Sequence, residues 1–347
     1  MRFLFKTNYD QDIRLFQHTG HVWTYAALLA VMIVAPLFIS QYLQSQLVFV
    51  FIYAIVGVAL MILTGFTGQG SLGHAAFLAI GAYTAAYMQS KGFVFWQYFL
   101  VAGALTGVVG AIVGFPALRL HGIYLLIATI SFAFIVEEVL ARWESVTHGN
   151  EGMRVGALNL FGLPMSRNSD YFYYLCLGVL TLVMIGALNL MRSPTGRAFI
   201  AIRDSETAAK SMGINLSAYK VKAFAISAAI TGLAGALYAH KMSFISPEMF
   251  TLLLSIEFIM VIIIGGAIGL HGAVLGAIFI VMIDPFLTFL KDDVPVWISS
   301  LASLFGAGAE RTKKIQEGAA ALSSTASALR SLSSTPPVML ASEYPGR

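Results

Sequence analysis

Hydrophobic residues gather in long runs separated by short polar or glycine-rich breaks, at about the length that a helix needs to cross a bilayer, roughly 20 residues for 30 Å. Runs of this kind lie at 23–40, 46–64, 72–88, 95–115, 120–139, 171–191, 222–240, 254–270 and 272–290, with a shorter one at 296–308. The pattern predicts an all-α, polytopic integral membrane helix bundle of about eight to ten transmembrane helices. The count depends on the glycine-rich runs at 65–73 and 265–276, which read either as breaks within helices or as turns between them. Three regions follow: an N-terminal cytoplasmic segment at 1–22, a transmembrane domain at 23–308 with a basic loop at 192–222, and a tail at 309–347 rich in Ala, Ser and Gly. The first run begins near Trp23 after a polar leader and shows no small-x-small cleavage site, so it reads as a retained helix.

Composition agrees: 58% of the 347 residues are hydrophobic and 11% are charged, against about 25% charged in soluble domains. No Asp or Glu stands between Asp12 and Glu137, which excludes the mixed-charge surface of a soluble fold. The net charge of +4 reads as positive-inside bias, not as a nucleic-acid footprint. Arg192, Arg197, Arg203, Lys210, Lys220 and Lys222 make 192–222 the most basic connection, which places that loop in the cytoplasm. Counting spans from it puts 140–170 outside and Arg119 and the N-terminus inside, as for a multi-pass protein of the inner (plasma) membrane. Cys176 is alone, so no disulfide framework or cysteine metal site forms within the chain, and no metal ligands are assigned.

Two motifs carry candidate chemistry. In Gly65-Phe66-Thr67-Gly68-Gln69-Gly70-Ser71-Leu72-Gly73-His74, Gly68, Gly70 and Gly73 match a dinucleotide fingerprint formally. That motif needs a strand before it and an acid about 20 residues on; here a membrane span precedes it and no acid is near. The run reads either as a turn between spans or as a broken membrane helix lining a translocation pathway, since irregular backbone at membrane depth survives only where it is buried or faces a cavity. Ser71 and His74 raise a hydrolase reading, but Gln69 stands where a nucleophile elbow requires Gly, so no catalytic residues are assigned. The second motif lies in the basic loop. Pro194 opens a helix over Thr195–Met212 and Gly213 stops it. Phe199, Ile202, Glu206 and Ala209 share one face, leaving charges for a soluble partner or for lipid headgroups.

With Glu206, Ala208, Ala209 and Gly213 in place, the loop resembles the EAA-type coupling segment of ABC import permeases. Thr67–Phe77 with Gly81-Ala82-Tyr83, Gly232–His240, and Ser255-Ile256-Glu257 leading to Gly265-Gly266-Ala267-Ile268-Gly269 resemble the branched-chain amino-acid permeases of the LivM type. The resemblance covers about residues 45–290 and departs after the shortened 296–308 run. It implies a permease subunit of an importer for branched-chain amino acids or related small polar solutes. The implied partners are a second permease subunit, two cytoplasmic ATPase subunits and an extracytoplasmic solute-binding protein. It implies coupling through Gly196, Arg197, Arg203, Asp204, Glu206, Ala208, Ala209 and Gly213, with Glu206 and the arginines anchoring the loop to an ATPase. No cofactor is expected in this chain: it lacks G-x-x-x-x-G-K-[ST], so ATP belongs to the partners.

Gly103, Gly107, Gly110 and Gly114 form a small-residue packing face. Gly265, Gly269, Gly272 and Gly276 echo the Gly68–His74 run, as an inverted repeat would, and Gly265, Gly266 and Gly269 join Gly68, Gly70, Ser71, Gly73 and His74 as candidate pathway residues. Glu137, Glu138, Glu257 and Asp284 lie at or near span ends, at shallow depth. The competing class is a self-contained, ion-coupled secondary transporter, which requires buried acids inside the bundle.

Overall fold

The computed structural model describes residues 29–304, apart from 118–119, 121, 161–162, 166–169 and 267–268. The expectations for 1–22, for Arg119 and for the 309–347 tail lie outside the described residues. The helices are α1 (Gln41–Leu60, continued by a π turn at Met61–Gly65), α2 (His74–Ser90), α3 (Phe95–Ala117), α4 (Ile123–Arg142) and the short α5 (Glu144–Thr147). They continue with α6 (Asp170–Arg192), α7 (Pro194–Asp204), α8 (Glu206–Ser211), α9 (Leu216–Met242), α10 (Leu252–Gly265) and α11 (Leu270–Leu304). Among the described residues, seven helical segments are long and apolar enough to cross a membrane. α2, at 17 residues or about 25 Å, is shorter and mostly buried among the others. Among the described residues there are four strands of two or three residues each; β1 (Met153–Arg154) pairs antiparallel with β4 (Phe244–Ile245), and β2 (Leu158–Leu160) with β3 (Leu163–Met165).

Two compact units divide the chain, Met1–Val281 and Met282–Arg347. The division falls inside α11, which is continuous where the hydropathy pattern predicts separate spans at 272–290 and 296–308. Its backbone stays helical through Pro285 and Pro295, so the polar interval between those runs is not a turn. In the second unit the Thr288 hydroxyl donates to the Asp284 carbonyl at 2.9 Å.

α9 is the axis of the first unit, packed against α3, α2 and α1. Small residues make this possible. A Cβ on Gly110 would lie 2.3 Å from Ala228 Cβ, and one on Gly103 2.6 Å from Leu233. On the α2 side, a Cβ on Gly235 would meet the Leu78 carbonyl at 2.2 Å. In lipid, where apolar burial gives no drive for helix pairing, such close backbone approach supplies the packing energy. The outer faces of α3 and α4 stay exposed and apolar, with Leu105, Val108, Ile112, Ile127, Phe134 and Ile135 among them. That surface would aggregate in water and suits a bilayer.

α9 also separates the two ends of this unit. The α7–α8 loop precedes its first residue, and β4, paired with β1, follows its last. The basic loop and the polar 143–165 region therefore lie at opposite ends. The polar end is pinned by side chains. Gln44 donates to Asp170 at 2.7 Å, Lys241 to Ser45 at 2.7 Å, and Gln89 to the Gly156 and Ala157 carbonyls at 3.2 and 3.1 Å.

Gly235→Val should drive the α2–α9 seam apart and cost roughly 1–3 kcal/mol or more. Gly178→Ala on α6, where nothing lies within 4 Å, should be neutral or stabilise by up to about 1 kcal/mol. Thermal unfolding in detergent compares the two, and a lower midpoint is expected only for Gly235→Val.

Candidate functional site

The basic loop folds against the bundle because its connections are short and capped. Ser193 accepts from the Gly196 amide at 3.3 Å and starts α7. Gly196 lies so close to the end of α6 that a Cβ would meet Met191 Cα at 2.4 Å. The single helix predicted over Thr195–Met212 is two. Ser205 is extended (φ −164°, ψ 112°), and its hydroxyl accepts from the Ala208 amide at 3.3 Å to start α8. Serine competes with the helix backbone in this way, which favours a cap over a helix interior. Gly213 takes φ +81°, which ends α8, and Asn215 caps α9 through the Ala218 amide at 3.2 Å. α9 therefore starts six residues before the apolar run that predicts it.

The shared face of α7 and α8 points inward. Ala198, Phe199, Ile202 and Ala209 are buried, and Phe199 meets Tyr219 edge-on at 6.3 Å. Glu206 turns the same way and pairs with Lys220 at 2.8 Å; the lysine side chain is 4% exposed and the glutamate 36%. Arg197 donates to the Arg192 carbonyl at 3.0 Å. The outward face carries Asp204, Thr207, Ala208, Lys210, Ser211 and Met212, and Met212 is 84% exposed.

Arg203 connects this loop to the glycine-rich run. Its Nε and Nη2 donate to Asp204 Oδ1 at 3.1 and 3.0 Å. Held by that carboxylate, its Nη1 donates to the Gly65 carbonyl at 3.1 Å, at the end of the π turn. Gly68, with φ +70°, packs under the same side chain, 3.2 Å from Arg203 Cγ to where its Cβ would be.

The run itself is a broken helix, buried at Thr67, Gln69, Ser71 and Gly73 and open at Gly68. Residues 68–73 are irregular between the π turn and α2, and side chains from several helices satisfy their backbone. Thr67 donates to the Ile62 and Leu63 carbonyls, and Thr64 to the Gln69 carbonyl at 3.2 Å. Thr129 of α4 accepts from the Leu72 amide at 3.0 Å, and Ser255 of α10 from the Ala75 amide at 3.0 Å. Gly70 and Gly73 face α4, at Leu126 and Thr129. The Ser227 hydroxyl donates to the Ala59 carbonyl at 2.7 Å, so its single hydrogen is used there. The 2.8 Å contact from His74 Nε2 to Ser227 Oγ must then be donated by the imidazole. Nδ1 is left to accept from Ser71 at 3.1 Å. Ser71, His74 and Ser227 are fully buried, and this tie joins α1, α2 and α9. Among the described residues, neither polar atom of the buried Gln69 amide has a partner.

The second glycine run differs. A Cβ on Gly265 would lie 1.8 Å from the Gly272 carbonyl, so α10 and α11 meet backbone to backbone. Gly266 takes φ +91° and is exposed, with Gly265 and Gly269 half-buried, much as Gly68 and Gly70 are in the first run. Gly265 and Gly266 pack against Gly272 of α11.

The acids also divide. Glu138 pairs with Arg142 near the end of α4 and is exposed, as a shallow position allows. Glu257 is not shallow: its Oε2 accepts from the Tyr53 hydroxyl at 3.0 Å, and Tyr53 is the middle residue of the 25-residue segment Gln41–Gly65. The reason is the entry to α10. The turn at Pro247–Met249 brings Phe250 against Tyr238 and Tyr83 at 5.9 and 6.1 Å, and Tyr83 is two turns inside α2. Sequence reasoning missed this depth, and also Lys220, Thr129, Ser227 and the Arg203–Gly65 contact. The only signal for Thr129 and Ser227 is a polar residue inside an apolar run, and Lys220 and Arg203 read only as part of the basic loop.

A family model described as "Branched-chain amino acid transport system / permease component" matches residues 42–305. The chain belongs to this permease family. It is 34% identical over 280 residues to the high-affinity branched-chain amino acid transport system permease protein LivM of Salmonella typhimurium, and likewise to that of Escherichia coli K12. Each match covers 74% of this chain, which spans 66% of those relatives. The autoinducer 2 import system permease protein LsrC of Enterobacter sp. strain 638 is 33% identical over 127 residues, 35% of this chain and 36% of LsrC. No solved structure matches. This permease is thus a multi-pass membrane protein whose two motifs, 138 residues apart at the bond, meet at Arg203 and Gly65.

Removing one partner of a buried ion pair typically costs about 3–5 kcal/mol. Because water reaches Glu206, Glu206→Gln should cost less, roughly 1–3 kcal/mol. Adding Lys220→Met should recover most of that loss, and a double-mutant cycle on unfolding midpoints measures it.

Proposed function

We propose that this chain is the membrane-spanning permease subunit of an ATP-driven importer of branched-chain amino acids, and that the outward face of α7–α8 docks on a separate ATPase subunit. The observation that carries the reading is the Arg203 bond to the Gly65 carbonyl. It joins a loop with an exposed polar face to a broken helix in the bundle without an intervening residue.

In this reading ATP closes a pair of cytoplasmic ATPase subunits, and the chain itself takes no cofactor. The outward residues from Asp204 to Met212 meet the ATPase. Glu206 instead serves the loop itself. Paired with Lys220, it makes α7, α8 and the start of α9 move as a body. Motion of that body reaches the pathway by two routes, through Arg203 to Gly65 and through α9 to the Ser227–His74 tie. In this reading the buried Gln69 amide, which lacks a partner among the described residues at a cost of about 1–3 kcal/mol, gains one when the broken segment moves. A related permease subunit completes the pathway and an extracytoplasmic binding protein delivers the solute, in the inner membrane.

The names of the 34% identical relatives support branched-chain amino acids over the shorter LsrC match. The ion-coupled reading draws on Glu257, an acid at mid-depth. ATP dependence separates the two: uptake that persists without the ATPases and collapses with the ion gradient would favour the carrier.

In proteoliposomes with the full complex, Arg203→Ala should lower uptake at least tenfold while ATP hydrolysis persists, and Arg203→Lys should restore part of the uptake. Equal uptake in wild type and Arg203→Ala would contradict the coupling role. Ser71→Ala should retain uptake, since Ser71 acts as a hydrogen-bond partner of His74.

A further inference from the structure

Glu257 has no structural role that explains its charge. One carboxylate oxygen takes the Tyr53 hydroxyl, and among the described residues no basic side chain pairs with it. Its neighbours along one stripe of α10 are Leu253, Met260 and Ile264, at spacings of four, three and seven residues, and all three are exposed. The far face of α10, with Ser255 and Phe258, is buried, and so is Val261, one turn on from Glu257, so the carboxylate stands at the edge of the exposed stripe. Glu257 and Tyr53 are each partly accessible. The result is an open apolar strip with a single carboxylate at the middle of the membrane, and a carboxylate facing lipid there is strongly disfavoured.

We propose that Glu257, set by Tyr53, binds the ammonium group of the transported amino acid. The exposed stripe at Leu253 and Met260 receives the aliphatic side chain. The inference rests on the functional reading above and adds the substrate contact that it lacks. The argument is charge complementarity. A zwitterion with a branched aliphatic side chain presents one cation and one apolar group, and this wall offers a carboxylate with a free oxygen beside apolar side chains. Tyr53 has a positioning role: its hydroxyl occupies Oε2 and leaves Oε1 to a donor from the ligand.

The test is direct binding of radiolabelled leucine to the permease–ATPase complex in nanodiscs without the solute-binding protein, so that selectivity belongs to the membrane subunits. Leucine methyl ester, which keeps the ammonium, should compete. 2-Hydroxy-4-methylpentanoate, with a hydroxyl in its place, should not. Glu257→Gln should weaken binding at least tenfold, Glu257→Asp should keep the discrimination between the two competitors, and Tyr53→Phe should weaken binding two- to threefold. Absence of leucine binding by the wild type, equal competition by the hydroxy acid, or wild-type binding by Glu257→Gln overturns the proposal. So does a Glu257→Gln complex that loses its second permease subunit while the remainder binds leucine normally, because the carboxylate then serves assembly. Failure of the wild type to take up leucine with ATP would instead overturn the importer reading, and the competition assay would still decide the role of Glu257.

Discussion

A polypeptide in hydrocarbon must satisfy every backbone amide and carbonyl from within the protein, and the rest of this structure depends on how that demand is met where α1 breaks. The π turn at Met61–Gly65 and the irregular run to Gly73 release amides and carbonyls that a continuous helix would pair. The partners come from elsewhere. α4 supplies Thr129, α10 Ser255, α9 Ser227 and the loop Arg203. Each bond removes a local cost, and together they tie the broken segment to α4, α9, α10 and the basic loop. Thr64 and Thr67 satisfy part of the break from within, and the bonds from four other elements make it a junction.

The junction explains the division of labour in the basic loop. An arginine fits the Gly65 position because a planar guanidinium can hold Asp204 with two donors and still aim a third at a carbonyl. Ser205 divides the loop helix so that α8 can turn Glu206 onto Lys220 while Asp204 and Met212 stay outside. Inward charges build the loop, and the outward residues stay exposed. Small residues along α3, α2 and α9 complete the arrangement by bringing the backbones of the central helices together, which gives the junction a firm support.

The helical membrane fold was legible in the sequence because span length and the scarcity of charge are one-dimensional signals. The glycine positions were legible as well. Gly103–Gly114 recur at helical spacing, and they face α9. Depth and direction were not legible. Glu257 is close to the start of its apolar run, yet the turn at Pro247–Met249 carries that start into the bundle. Glu206 reads as a docking charge, yet its partner is a lysine 14 residues on that belongs to the next helix. Span 222–240 reads short because Lys220 and Lys222 interrupt hydropathy without interrupting the helix. The helix α11 also runs through Pro285 and Pro295, where proline and charge mark expected boundaries.

The central claim is that the loop and the broken helix respond as one body. Hydrogen exchange resolved to the Gly68 and Gln69 amides, which bond to the Thr64 and Leu63 carbonyls, tests it in the assembled complex with and without ATP. The account predicts that their protection changes together with that of the α7 amides when nucleotide binds. A nucleotide response confined to α7, with Gly68 and Gln69 unchanged, would contradict it.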